Sequence, residues 1–113
     1  MQDQRFEKLL RKFLLAYEAK DIGTIADMFA SNVTLRDWNL EVQGKEAAIK
    51  EFTKNFEQAE SLEIKIKRVF QSEIGAAAEL EITVNGFEKL NVVDVITFNQ
   101  LDEITEIISY KGL

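Results

Sequence analysis

Apolar residues recur every three or four positions through most of the first half of this chain and every second position through most of the second half. That change of period narrows the fold more than any other feature. Phe6, Leu9, Leu10, Phe13, Leu14 and Tyr17 fall at helical steps, with Arg5, Glu7, Lys8, Arg11, Lys12 and Glu18 between them, which predicts a first amphipathic helix. Asp21 can cap a short second helix to about Phe29, with Ile22, Ile25, Ala26 and Phe29 on one side. From Val33 the period is two, so Val33, Leu35 and Asp37 share one strand face and Thr34, Arg36 and Trp38 the other. After a loop, Gly44 opens a third helix with a stripe of Ala48, Ile49, Phe52, Phe56 and Ala59. Lys50, Glu51, Lys54 and Glu57 lie opposite that stripe and read as a solvated charged face.

Past Ser61 no helical period returns. Leu62, Ile64 and Ile66 alternate with Glu63, Lys65 and Lys67, and Ala76, Ala78, Leu80, Ile82 and Val84 alternate with Glu79, Glu81 and Thr83. Paired as a hairpin, these strands set Lys65 and Lys67 against Glu81 and Glu79. Leu90, Val92, Asp94, Ile96 and Phe98 then share a face, and a turn at Gln100 to Asp102 returns the chain as Glu103 to Tyr110. Asn85-Gly86 is a strong hairpin signal, yet a two-residue turn there pairs Leu80 with Asn91, so the two apolar faces disagree by one residue. A β-bulge between Phe87 and Val93, or a longer turn, removes the conflict. Helices first and antiparallel strands after predict one α+β domain over residues 1–113. Val93, Val95 and Ile107, read as outward and apolar, predict a second buried face, most simply in a homodimer.

Composition excludes several chemistries. There is no His and no Cys, which removes Ser-His-Asp and Cys-His catalysis, disulfides and the usual zinc ligand sets, and leaves Asp, Glu, Lys and Tyr for acid–base work. With 46% hydrophobic and 30% charged residues the chain has the makings of a folded core. A net charge of −6 with dispersed Lys and Arg opposes nucleic acid and anionic membranes as partners. MQDQRFEKLL lacks the apolar core of a signal peptide and no apolar run approaches a membrane span, so a cytoplasmic protein is expected.

Asp37 and Asp94 are the candidate catalytic residues, because each sits among apolar residues on its own strand face. Burial without a partner disfavours the charged carboxylate. The structural alternative is an Asp that reaches water or accepts from a neighbouring backbone amide. Two acids in one apolar pocket permit a divided mechanism, in which one ionised carboxylate accepts a proton while the other, neutral, donates to a developing oxyanion. That scheme needs no metal and no cofactor. Phe13, Tyr17, Leu35, Trp38, Phe52, Phe56, Ile96 and Phe98 are the candidate pocket residues around a small apolar molecule, Trp38 at the rim or at an interface.

The run FLLAYEAKDIGTIADMFASNVTLRDW, followed by GKEAAIKEF and later by VVDVITFN, ITEI and SYKG, resembles the SnoaL-like and ketosteroid-isomerase-like branch of the nuclear-transport-factor-2-like superfamily. The resemblance covers about residues 9 to 60 and 88 to 112. It implies a cone-shaped roll of cystatin-like type, with about three helices packed in a curved antiparallel sheet of four to five strands, commonly as a homodimer. It also places Asp37 at the general-base position of the ketosteroid isomerases, Asp94 at the protonated acid of their oxyanion hole and Phe52 at an aromatic beside the base. Ketosteroid isomerase is itself the standard example of a carboxylic acid kept neutral in an apolar site. Phe13 replaces the oxyanion-hole tyrosine of those enzymes, and Phe29 and Thr53 replace other members of their tyrosine network. Tyr17, one helical turn on, is the candidate substitute. The expected function is a cofactor-independent pocket protein acting as isomerase, cyclase or dehydratase on an apolar carbonyl or polyketide-like compound. The alternatives are a non-catalytic ligand-binding module and a dimeric interaction domain.

Overall fold

The computed structural model describes residues 3–113. Three helices, α1 (Arg5–Glu18), α2 (Ile22–Met28) and α3 (Lys45–Gln58), accompany six strands, β1 (Phe29–Arg36), β2 (Glu41–Gln43), β3 (Leu62–Gln71), β4 (Gly75–Val84), β5 (Glu88–Phe98) and β6 (Ile104–Lys111). The strands form one sheet in the order β2-β1-β6-β5-β4-β3. The α+β class holds, with two additions to the expected architecture. β2 occupies what reads as loop, three residues being too short to show a period, and the β1–β6 pair is parallel, so the sheet is mixed.

The helices form where the apolar stripes lie. Phe6, Leu10, Phe13 and Leu14 of α1 are buried, as are Ala48, Phe52 and Phe56 of α3. Asp21 caps α2, its side chain accepting from the Thr24 amide at 3.1 Å. Gly44 precedes α3 at φ 94°, a backbone state that other residues rarely adopt, while its amide donates to the Val33 carbonyl at 2.7 Å. α1 packs across β3 and β4, and α3 packs across β1 and β2, so both helices lie on the same face of the sheet.

Register irregularities shape that inner face. Val84 pairs with Glu88, and Asn85, Gly86 and Phe87 form a three-residue turn. The longer turn thus resolves the one-residue conflict, and β4–β5 is regular from there to Gly75–Thr97, with no bulge between Phe87 and Val93. The Asn85 side chain accepts from the Glu60 and Ser61 amides at 2.7 and 3.3 Å, tying this hairpin to the end of α3. Bulges occur instead in β3, where Lys67 is the extra residue between Ile66–Leu80 and Arg68–Glu79, and in β6, where Thr105 is extra between Phe98–Ile104 and Thr97–Glu106. Consequently Arg68, not Lys67, meets Glu79, at 2.8 Å, and Glu81 approaches Lys89 at 3.8 Å besides pairing in register with Lys65. Thr105 donates its hydroxyl to the Thr97 carbonyl at 3.2 Å.

The β6 bulge also corrects the reading of Ile107 as outward. Ile104 and Ile107 are both buried, three positions apart, which a regular strand cannot achieve. The outward apolar row runs through Phe70, Ala77, Val95 and Ile108, paired in turn across β3, β4, β5 and β6, with Val93 and Tyr110 in the adjacent row.

Gly75 begins β4 at a close backbone approach, since a Cβ there would stand 2.1 Å from the Ile96 carbonyl oxygen. Gly75→Ala should therefore destabilise the fold by about 1–3 kcal/mol. Gly23→Ala, in α2 with only the Asp21 carboxylate 3.7 Å away, should leave stability unchanged or raise it by up to about 1 kcal/mol. Urea unfolding of the two variants checks this contrast.

Candidate active site

A cavity of about 320 Å3 opens between α1, α3 and the inner face of the sheet. Phe13, Leu14 and Tyr17 of α1 and Phe52 of α3 form its upper wall, and Ile64, Ile82, Leu90 and Val92 of β3, β4 and β5 form its floor. Its polar groups are Tyr17, Asp37, Asn39, Glu51, Asn55, Gln58, Asp94 and Ser109. The volume and the balance of apolar wall to few polar groups are those of a small-molecule site. Asp37 and Asp94 both line it, as do Phe13, Tyr17, Leu35, Trp38 and Phe52.

Three residues expected in the pocket wall lie elsewhere. Phe56 sits behind Tyr17, ring centroids 4.9 Å apart, Phe98 stacks on Phe6 at 5.0 Å, and Ile96 is fully buried in the core. Alternation along β5 puts Ile96 and Phe98 on the correct face, but α1 covers that end of the strand through Phe6. The aromatic wall is continuous nonetheless, because Phe52 meets Tyr17 edge-on at 5.4 Å and Phe13 at 6.0 Å.

Asp37 follows the last residue of β1 and builds the turn to β2. Its Oδ1 accepts from the Asn39 and Leu40 amides at 2.7 and 3.0 Å, and its own amide donates to the Leu40 carbonyl at 2.9 Å. Strand alternation stops at this turn. Trp38 therefore does not sit opposite Asp37 but borders the same cavity, 45% exposed at the rim, with the Lys111 ammonium 5.7 Å from its ring centre.

Asp94 has a different environment. It lies in the middle of β5, 7% exposed, between Ala78 of β4 and Ser109 of β6. The Ser109 hydroxyl donates to Asp94 Oδ1 at 2.6 Å, and among the described residues no other side chain donates to this carboxyl. Burial pushes the Asp94 carboxyl up to about 6, with the Ser109 hydroxyl favouring the ionised form and limiting the rise. The Tyr17 phenol is also raised, chiefly by burial; the Asn55 side chain opposes this, and the charges of Asp94 and Asp37 add to it.

Ser109 and Glu51 escape a reading of the sequence. Ser109 is directly opposite Asp94, but the bulge at Thr105 hides that phase from simple alternation. Glu51 reads as part of a solvated helix face, whereas it is half-buried beside Phe52 in the cavity wall. Its signal is position: Glu51 and Asn55 lie one turn apart on the flank of the Phe52 and Phe56 stripe.

The fold has known counterparts. An epoxide hydrolase/cyclase-like enzyme, SalBIII, which acts in pyran ring formation in the polyether salinomycin, superposes with a TM-score of 0.85 at 22% identity, over 100% of this chain and 95% of its own. An LEH-like epoxide hydrolase from M. tuberculosis gives 0.82 at 14% identity, over 96% and 84%. An NTF2-like protein of unknown function from Cytophaga hutchinsonii gives 0.80 at 15% identity, over 99% and 93%. At these identities the likeness is one of fold. No curated protein matches the sequence. The family model for the SnoaL-like domain matches residues 10–107, which is most of the chain, and the protein therefore belongs to the SnoaL-like domain family.

Proposed function

We propose that the protein is a cytoplasmic, single-domain homodimer that binds a small, mostly apolar carbonyl or polyketide-like compound and moves a proton on it without a cofactor. Asp37 is the base and Asp94 the hydrogen-bond donor. The observation that carries this reading is the placement of two carboxyl groups of unlike environment on one apolar cavity. Two backbone amides donate to the Asp37 carboxylate, whereas Asp94 is buried and its carboxyl is pushed up to about 6. Proton abstraction beside a carbonyl calls for such a pair, one group accepting the proton and the other stabilising the oxygen that gains charge. Tyr17 is the second donor, its phenol facing the same cavity in the absence of a tyrosine at Phe13.

One observation favours binding without catalysis. The turn from β1 to β2 accounts for Asp37 structurally, because Asn39 and Leu40 use its carboxylate whether or not a substrate is present. Titration with a phenolic enolate analogue, followed by the phenol's ultraviolet spectrum, separates the readings. Wild type should bind it, Asp94→Asn about tenfold more weakly for want of an acid donor, and Asp37→Asn more tightly because a negative charge is lost while the turn keeps its acceptor. Binding that ignores both substitutions points to a passive pocket, and no binding in any variant points to a structural domain.

The Asp94 shift has a consequence for folding. Its pKa is raised in the folded state, so the stability it contributes is fully present below about pH 4 and is lost as pH rises through about 6. A displacement of this size is worth roughly 3 kcal/mol. Asp94→Asn should therefore melt above wild type at about pH 8, with the difference gone near pH 4, as read by thermal unfolding across pH.

The outer apolar row supports the dimer, since Phe70, Val95 and Ile108 with Val93 and Tyr110 form a contiguous patch on an otherwise polar face. Light scattering should give twice the chain mass of 13.0 kDa for wild type and the single mass for Ile108→Lys.

A further inference from the structure

The cavity wall includes three acidic side chains, Asp37, Glu51 and Asp94, and not one Lys or Arg. Each of the three comes from a different element: the β1–β2 turn, α3 and β5. Their convergence is therefore a property of the tertiary fold and not a solvated run of charge along one helix. Among the described residues none of the three is ion-paired within 4.0 Å. Asp94 is buried, and Ser109 occupies only its Oδ1. Asp94 borders a cavity walled also by Tyr17, Trp38 and Phe52, whose ring faces attract cations. Lys111, the cation over the Trp38 ring, is not part of the wall.

We infer that the ligand of this pocket carries a protonated amine on its apolar frame, and that the site rejects carboxylates and phosphates. This rests on the reading of the cavity as a small-molecule site and specifies the charge of its occupant. In a low-dielectric cavity, like charges are weakly screened, so an anionic ligand meets Asp37 and Glu51 with no Lys or Arg in the wall to offset them. An ammonium draws on the carboxylates of Glu51 and Asp37 and packs against the indole and phenol faces, while Asp94 keeps its donor role toward the carbonyl oxygen. It also supplies what the proton-transfer reading lacks in the protein, a positive charge to balance the oxygen that becomes negative. The ligand brings the electrophilic partner that Phe13 cannot provide.

The test uses three probes of one shape, 2-naphthylmethylamine, 2-naphthylmethanol and 2-naphthoate, titrated by naphthalene fluorescence at neutral pH and low salt. The expected result is that the amine binds at least about tenfold tighter than the alcohol, and the alcohol tighter than the carboxylate. Glu51→Gln should reduce the amine-to-alcohol affinity ratio by about threefold or more. The wild-type ranking decides even where a variant fails to fold. An alcohol that binds as tightly as the amine, or a carboxylate that matches either, overturns the charge assignment and leaves the pocket reading intact. Failure of all three probes to bind overturns both.

Discussion

The inner face of this protein depends on one inserted residue. Thr105 stands out of register in β6, its hydroxyl held by the Thr97 carbonyl, and the strand beyond it is turned over relative to the strand before it. Without that insertion Ile104 and Ile107 could not both be buried, and Ser109 would face outward, away from Asp94. Lys67 plays the same part in β3, where Ile66 and Val69 share the inner face three positions apart. The sheet bends at such points, and the helices fill the hollow side.

Within that hollow the two central acids are handled in opposite ways. Asp37 sits at the end of a strand, where a turn offers two amides to its carboxylate. Asp94 sits mid-strand, where every backbone group is engaged in the ladder and only a neighbouring hydroxyl is free to help. In the second setting burial disfavours the charged carboxylate, and Asp94 is pushed up to about 6. The difference follows from topology alone, since both strands present apolar neighbours.

Much of this was legible in the residues. The three helices and the inward set of β5 follow from local periods, and β5 keeps its alternation from Leu90 to Phe98 with no interruption, so Asp94's direction is as the pattern implies. Asn85-Gly86 marked its turn, while the extra residue, Phe87, emerged only as the consistent solution of a conflict between two faces. What stayed hidden is what local periodicity cannot encode. Three residues of β2 are too few for a period, the parallel partnership of β1 with β6 joins distant parts of the chain, and a bulge inverts every position after it. In retrospect, two isoleucines three apart in a strand, Ile104 and Ile107, are themselves the mark of a bulge. Phe98 shows a further limit, for a residue on the correct face is lost to the cavity when a distant ring, here Phe6, stacks over it.

The parallel pairing of β1 with β6 bears on how the chain reaches its fold. Phe29 lies beside Ile104 and Arg36 beside Ile108, contacts that close loops of more than seventy residues. Until the last strand is in place, β1–β2 and β3–β4–β5 are two separate hairpin systems with no hydrogen bond between them. β6 is the seam that joins them, and its docking carries the loop-closure entropy of those long-range pairs. The cavity therefore cannot be complete until β6 has docked, since β6 supplies Ile107 and Ser109 to its wall. Asp94 stays at an open strand edge until then, and its burial, with the ionisation penalty that burial brings, arrives in the same step that delivers Ser109 to it.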